Sequence, residues 1–226
     1  MTDRIAVGAV IRRVFAIYAE RASLLIPVAA VVFLIAGVLD TLLRKGSGGL
    51  SLLSLPVSVV SNAVVIGIVV ALVADIQDGH GDAGVKTLLT SIKPVLGQLM
   101  LVGFVDALAV GIGLVLLVVP GLILLTIWAV FEPVIVLERP PGFQALGRSR
   151  DLVRGNGWRV FRVVLILVVF VGVLVLGITF ADRSTPTLVH LVVLVVLDTL
   201  TIPISALASA VLYFDLCAAA PSRTPR

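Results

Sequence analysis

Apolar runs long enough to cross a bilayer recur along this chain, and they leave few folds open to it. A helix needs about 20 consecutive apolar residues to traverse a hydrocarbon core of about 30 Å. Runs of that kind occupy residues 22–43, 50–74, 160–180 and 188–216. The stretch 94–138 is too long for one crossing and carries Pro120-Gly121, so two helices joined near that pair are expected there. In hydrocarbon each span must satisfy its own backbone hydrogen bonds, which a helix does. The expected fold is therefore all-α: a polytopic membrane protein with six transmembrane helices.

Composition agrees. The chain is 60% hydrophobic and 13% charged, with mean hydropathy +1.22, whereas a soluble domain is about half apolar and about a quarter charged. A net charge of +4 raises the question of nucleic acid. The basic residues lie between apolar spans, however, and not on a soluble domain with interleaved aromatics, so no nucleic-acid partner is expected. About twenty amphipathic, charged residues precede the first apolar run, so no cleavable leader is expected either. The single cysteine, Cys217, excludes an intrachain disulfide framework.

Helical periodicity outside the spans adds surface segments. Val7, Val10, Ile11, Val14, Phe15 and Tyr18 fall on one face, with Arg12, Arg13 and Glu20 on the other. Such a segment either lies on the membrane or forms the start of the first span. Residues 143–154 form a second amphipathic stretch, and Trp158 fits an interfacial anchor. Residues 83–93 contain a third, shorter one. The chain thus divides into three hairpins, each preceded by a cytoplasmic amphipathic surface helix, within one membrane domain over 1–216. Its parts are a surface helix at 1–21 and hairpins at 22–75, 83–138 and 143–216; residues 217–226 are a short polar tail.

Charge bias orients this arrangement. Of the 17 Lys and Arg residues, all but Arg44, Lys45 and Arg183 fall on one side of a six-span chain, which places both termini in the cytoplasm of a cell with this protein in its plasma membrane. Each hairpin closes with an acid: Asp75, Glu138 and Asp215. A helix C-terminus disfavours negative charge, so these acids are expected to pair with cations from the surface segments. Arg12, Arg13, Lys86, Arg148, Arg154 and Arg159 are the candidates.

Ionisable residues inside the spans are costly and mark functional candidates. Asp106, Glu132, His190 and Asp198 qualify, either as interhelical hydrogen-bonding groups or as a proton or ion path. Asn62 is expected to be a packing contact. Asp75, Asp78, His80 and Asp82 do not match calcium-loop spacing and are expected to form a solvated turn, so no metal site is expected. No HExxH, GxSxG, CxxC pair or phosphate-cradling loop occurs. An enzyme and a cofactor are accordingly not expected.

Several motifs resemble a known family. Pro120-Gly121, Phe131-Glu132-Pro133 through Glu138, Ala145-Leu146, Arg148-Ser149 and Trp158 are followed by Pro203 and Leu212-Tyr213-Phe214-Asp215. Together they resemble the membrane-domain family named after glycerophosphoryl diester phosphodiesterase, with Phe214 where a second tyrosine is common. In that family's two-domain enzymes a soluble barrel performs the hydrolysis. Such a barrel takes about 250 residues, and none lies in these 226. The resemblance implies a bacterial integral membrane module. The expected function is a non-enzymatic scaffold, binding a membrane or soluble protein partner or organising lipid, with anionic lipid at its basic face. The alternatives are a small transporter or permease using Asp106, Glu132 and Asp198, and a membrane-anchoring partner of a separate phosphodiesterase.

Overall fold

A computed structural model describes residues 7–45, 54–79, 84–181 and 187–219. The Gly46–Gly49 linker, His80 and Asp82, the 182–186 turn and the end of the polar tail lie outside the described residues. All regular structure among the described residues is helical: α1 (Val7–Lys45), α2 (Ser54–Gln77), α3 (Val85–Ile92), α4 (Leu96–Leu116), α5 (Val118–Ile127), α6 (Phe131–Pro133), α7 (Gln144–Val153), α8 (Gly157–Ala181) and α9 (Thr187–Ala219). Six of its helical segments are long and apolar enough to cross a membrane. This is a multi-pass membrane protein.

The first two elements show how pattern sets position. No break separates residues 7–21 from the first span. α1 is one helix of 39 residues, because nothing in Glu20-Arg21-Ala22-Ser23 interrupts a helix. At 1.5 Å per residue it is about 58 Å long, roughly twice the hydrocarbon thickness. Its first turns bury Val10, Val14 and Ile17 while Arg12 and Arg13 stay exposed. α2 is apolar on every side, and the run Ile68, Val69, Val70, Leu72 and Val73 is buried. A helix of that kind belongs in the middle, and α2 touches α1, α3, α4, α6 and α9.

The α4–α5 corner falls at Leu117, whose extended backbone (φ −157°, ψ 124°) breaks the helix three residues before the expected Pro-Gly pair. Pro120 sits in the first turn of α5, where its missing N–H costs nothing. Gly121 lets α5 lie directly on α4: a Cβ there would stand 2.5 Å from Leu114 Cγ and 2.7 Å from the Leu114 backbone N.

The fourth span is not the single helix expected through Glu138. α5 ends at Ile127, residues 128–130 turn, and α6 leads into a π-helical turn over Val134–Glu138. Pro133 explains the break, since it has no N–H and its ring clashes with the carbonyl four residues back. Pro56 lies in the first turn of α2, and Pro203 sits within α9 without ending it. Large apolar side chains left exposed, such as Ile35, Val115, Val173 and Val192, are on the long helices that the bilayer would surround.

Candidate functional site

Polar groups converge where the fourth span breaks. The turn leaves the Ile127 carbonyl and the Val130 N–H outside the regular ladder, because Trp128 N–H bonds Leu124 O, Ala129 N–H bonds Thr126 O and Phe131 N–H bonds Trp128 O. Both groups are taken by one side chain from another helix. Ser149 Oγ donates to Ile127 O at 3.0 Å and accepts from Val130 N–H at 3.3 Å. Ser149 is fully buried on the face of α7 that also buries Ala145, Leu152 and Val153. α7 is thus pinned against the broken span by a hydroxyl that completes its backbone.

The end of the π-helical turn is fixed by charge. Arg148 Nε donates to both Glu138 carboxylate oxygens, at 3.1 and 2.8 Å, and Tyr213 Oη–H donates to Glu138 Oε1 at 2.9 Å. The hydrogen bond to Glu138 holds the Arg148 guanidinium above the usual arginine range. Two residues further along α9, Asp215 Oδ1 meets Arg13 Nη1 of α1 at 3.5 Å. The two pairs link α1, α9, the π-helical turn and α7 at one end of the bundle. Both are partly solvated (side-chain exposure 44% and 28% for Arg148 and Glu138), so each contributes about 1 kcal/mol or less as a charge pair.

The next loop is tied as well. Gln98 Nε2 donates to Pro140 O at 2.6 Å and to Gly142 O at 2.7 Å, and Arg139 Nη2 donates to Ser91 O at 3.2 Å. Arg139 itself caps the π-helical turn in the left-handed region (φ 52°).

A cavity of about 210 Å³ lies between α2, α4 and α6, lined by Asn62, Leu99, Gly103, Asp106, Phe131 and Glu132 among others. Asp106 and Glu132 both line it. Ser209 of α9 is buried but does not line this cavity. No basic side chain among the described residues pairs with either acid.

The expected site residues therefore separate into groups. Glu138 meets Arg148, and Asp215 meets Arg13. Arg154 is exposed, and Arg159 bonds Asn156 Oδ1 at 3.3 Å in place of a hairpin acid. Those two arginines do not join the pairs, since they lie beyond the end of α7. Asp75 lies in the last turn of α2. Asp106 and Glu132 share the cavity; Asp198 is half-buried in α9 and does not line it. His190 is in α9, with a side chain outside the description. Asp75 and Asp78 belong to no cluster of metal-ligating side chains among the described residues.

Some of the motif residues meet in space and others do not. Pro133, Glu138, Arg148, Ser149 and Tyr213 lie at the broken span, Asp215 pairs with Arg13 of α1, and Pro120 and Gly121 follow the preceding corner at Leu117. Trp158 is 70% exposed and stacks on Phe161 at 5.2 Å. Reasoning from sequence missed the backbone role of Ser149 and the loop ties of Gln98. A signal for Ser149 exists, because it is a polar residue on the apolar stripe of Ala145 and Leu152, and a buried hydroxyl needs a partner.

No family model matches the chain, and no solved structure matches it.

Proposed function

We propose that this protein is a non-enzymatic membrane module that presents a basic, aromatic-flanked surface to anionic lipid at the cytoplasmic face of the plasma membrane. One observation carries the reading. α7 is locked inward by Ser149 and Arg148, while its outer side exposes Arg150, with Arg154 just beyond, between Phe143 (50% exposed) and Trp158 (70% exposed). Arginines between two exposed aromatic side chains suit a headgroup layer, where each charge near an anionic surface is worth about 1 kcal/mol.

In this reading the six spans form three hairpins with both termini cytoplasmic, and the paired acids of the last two hairpins hold α1 and α7 at that face. The motif residues around Glu138 and Tyr213 support membership of the glycerophosphoryl diester phosphodiesterase membrane-domain family, and with it a bacterial origin and a role as scaffold or anchor for a membrane or soluble partner.

Thermal unfolding in nanodiscs tests the lipid contact. Wild-type protein is expected to melt higher in discs with about a third anionic lipid than in neutral discs. The double variant Arg150→Gln/Arg154→Gln is expected to lose most of that difference, about 2 kcal/mol for two charges. Equal melting of the wild type in both disc types would remove the lipid role.

A further inference from the structure

We propose that Tyr18 and Arg21, one turn apart on the inward side of α1, form a binding site for a phosphate group. The site is separate from the outer side of α7 and does not rest on the lipid contact proposed there.

The periodicity of α1 comes first. Val10, Val14, Ile17, Leu25, Ala29 and Phe33 are buried, and their spacing marks one inward stripe along a single helix. Arg21 stands on that stripe, midway between Ile17 and Leu25, where the pattern calls for an apolar side chain. Tyr18 shares its side of the helix, because side chains three residues apart are neighbours. Both are partly buried. Arg21 also directly precedes the apolar run of 22–43, so it stands at the edge of the hydrocarbon, the level of the polar headgroups.

Burial leaves two donors without acceptors. Tyr18 Oη and Arg21 Nε are both buried, and neither has a hydrogen-bond partner among the described residues. Buried polar atoms of this kind are rare, and a guanidinium withdrawn from water without a counter-charge is costly. The acid within ion-pair distance of Arg21 among the described residues is the exposed Glu20, with Oε1 3.9 Å from Arg21 Nη2. That is too long for a hydrogen bond, and it leaves Nε untouched.

The helix opposite supplies no charge. Arg13 meets Asp215, and a Cβ on Gly37 would stand 2.7 Å from Leu191 Cδ1. α1 and α9 thus run antiparallel in a register that brings Arg21 level with Leu207 and Tyr18 level with Ala210. Residues 204–212 of α9 include no ionisable side chain, and Ala206, Ala208 and Ala210 are small and buried. Asp215 is engaged by Arg13, about 12 Å further out along α1.

Two donors, one of them cationic, call for an anion with several acceptor oxygens. A guanidinium presents its N–H groups in a fork that matches phosphate, and the phenol adds one more donor. A phosphate group satisfies both and brings the missing negative charge. A phospholipid headgroup and free inorganic phosphate share this chemistry.

The test uses full-length protein in a neutral detergent with three probes: dioctanoyl phosphatidic acid, dioctanoylglycerol, which has the same chains without phosphate, and inorganic phosphate compared with chloride at equal ionic strength. At least one phosphate probe is expected to raise the melting temperature saturably, by about 3–6 °C, and dioctanoylglycerol is not. A shift with the lipid alone assigns the site to a headgroup, and a shift with inorganic phosphate shows that the free anion suffices. Tyr18→Phe, which keeps the ring, is expected to weaken binding about threefold, and Arg21→Gln about tenfold or more. Arg150→Gln/Arg154→Gln is expected to bind as the wild type does, which separates this site from α7. Absence of a saturable shift with both phosphate probes would overturn the proposal, as would an equal shift with dioctanoylglycerol. So would undiminished binding by Tyr18→Phe or loss of binding in the α7 variant.

Discussion

Ser149→Ala is expected to destabilise the protein by about 2–4 kcal/mol, more than any other single-atom deletion at the end of the bundle. The hydroxyl satisfies two backbone groups of another helix at once, Ile127 C=O and Val130 N–H. Its removal leaves a buried Val130 N–H and a part-buried Ile127 C=O without that partner, and the neighbouring amides are already bonded elsewhere. A buried unsatisfied group costs about 1–3 kcal/mol. The adjacent Arg150 is exposed, so Arg150→Ala, as a control, should change stability by no more than about 0.5 kcal/mol. Unfolding in detergent checks both variants, and a Ser149→Ala protein as stable as the control would show that α7 does not hold the broken span.

Gly121→Ala acts at the other end of the same span. The added methyl would stand 2.7 Å from the Leu114 backbone N as well as 2.5 Å from its side chain. The side chain can rotate away; the backbone of α4 cannot. The two helices must therefore separate, also losing the close approach of Gly113 to the Gly121 Cα. Overpacking of this kind costs about 1–3 kcal/mol, and rigid backbone puts this case at the upper end. Gly111 lies on the same helix with open space where a Cβ would go, so Gly111→Ala should be neutral or gain up to about 1 kcal/mol from helix propensity. Equal melting temperatures for the two variants would contradict the packing described for the corner.

These two positions also separate what hydropathy dictates from what packing decides. Apolar length is enough to predict six crossings, because hydrocarbon admits few alternatives to a helix. Pro120-Gly121 marks the corner within a few residues, but the chain turns at Leu117, since proline is tolerated in a first helical turn and need not lie in the bend. Pro133 is recognisable as a breaker, yet the break falls at residues 128–130, on the side where its ring meets the previous turn. The continuity of α1 through Arg21 is hidden in the sequence because amphipathic and apolar stretches of one helix differ in composition but not in backbone.

The polar chemistry is legible in kind more than in partner. A helix-terminal acid calls for a cation, and Glu138 and Asp215 each have one; which arginine serves depends on tertiary register. Arg148 lies one residue before the buried Ser149 and reaches Glu138, whereas Arg154 and Arg159 fall beyond the helix that docks. Asp106 and Glu132 stand out in the sequence as intramembrane acids. Their shared cavity does not, because it is formed by α2 and α4 closing on a segment whose helix is interrupted.

Thiol labelling in cells expressing the chain tests its disposition in the membrane most directly. On a Cys217→Ser background, single cysteines at Gly147 and Gly48 report the two faces. Gly147 is exposed on α7 with open space for a side chain, and Gly48 lies between the first two spans. A membrane-impermeant maleimide is expected to label Gly48→Cys in intact cells and Gly147→Cys only after permeabilisation. Labelling of both cysteines from the same side, or of Gly147→Cys in intact cells, would contradict a six-span protein with α7 on its cytoplasmic face.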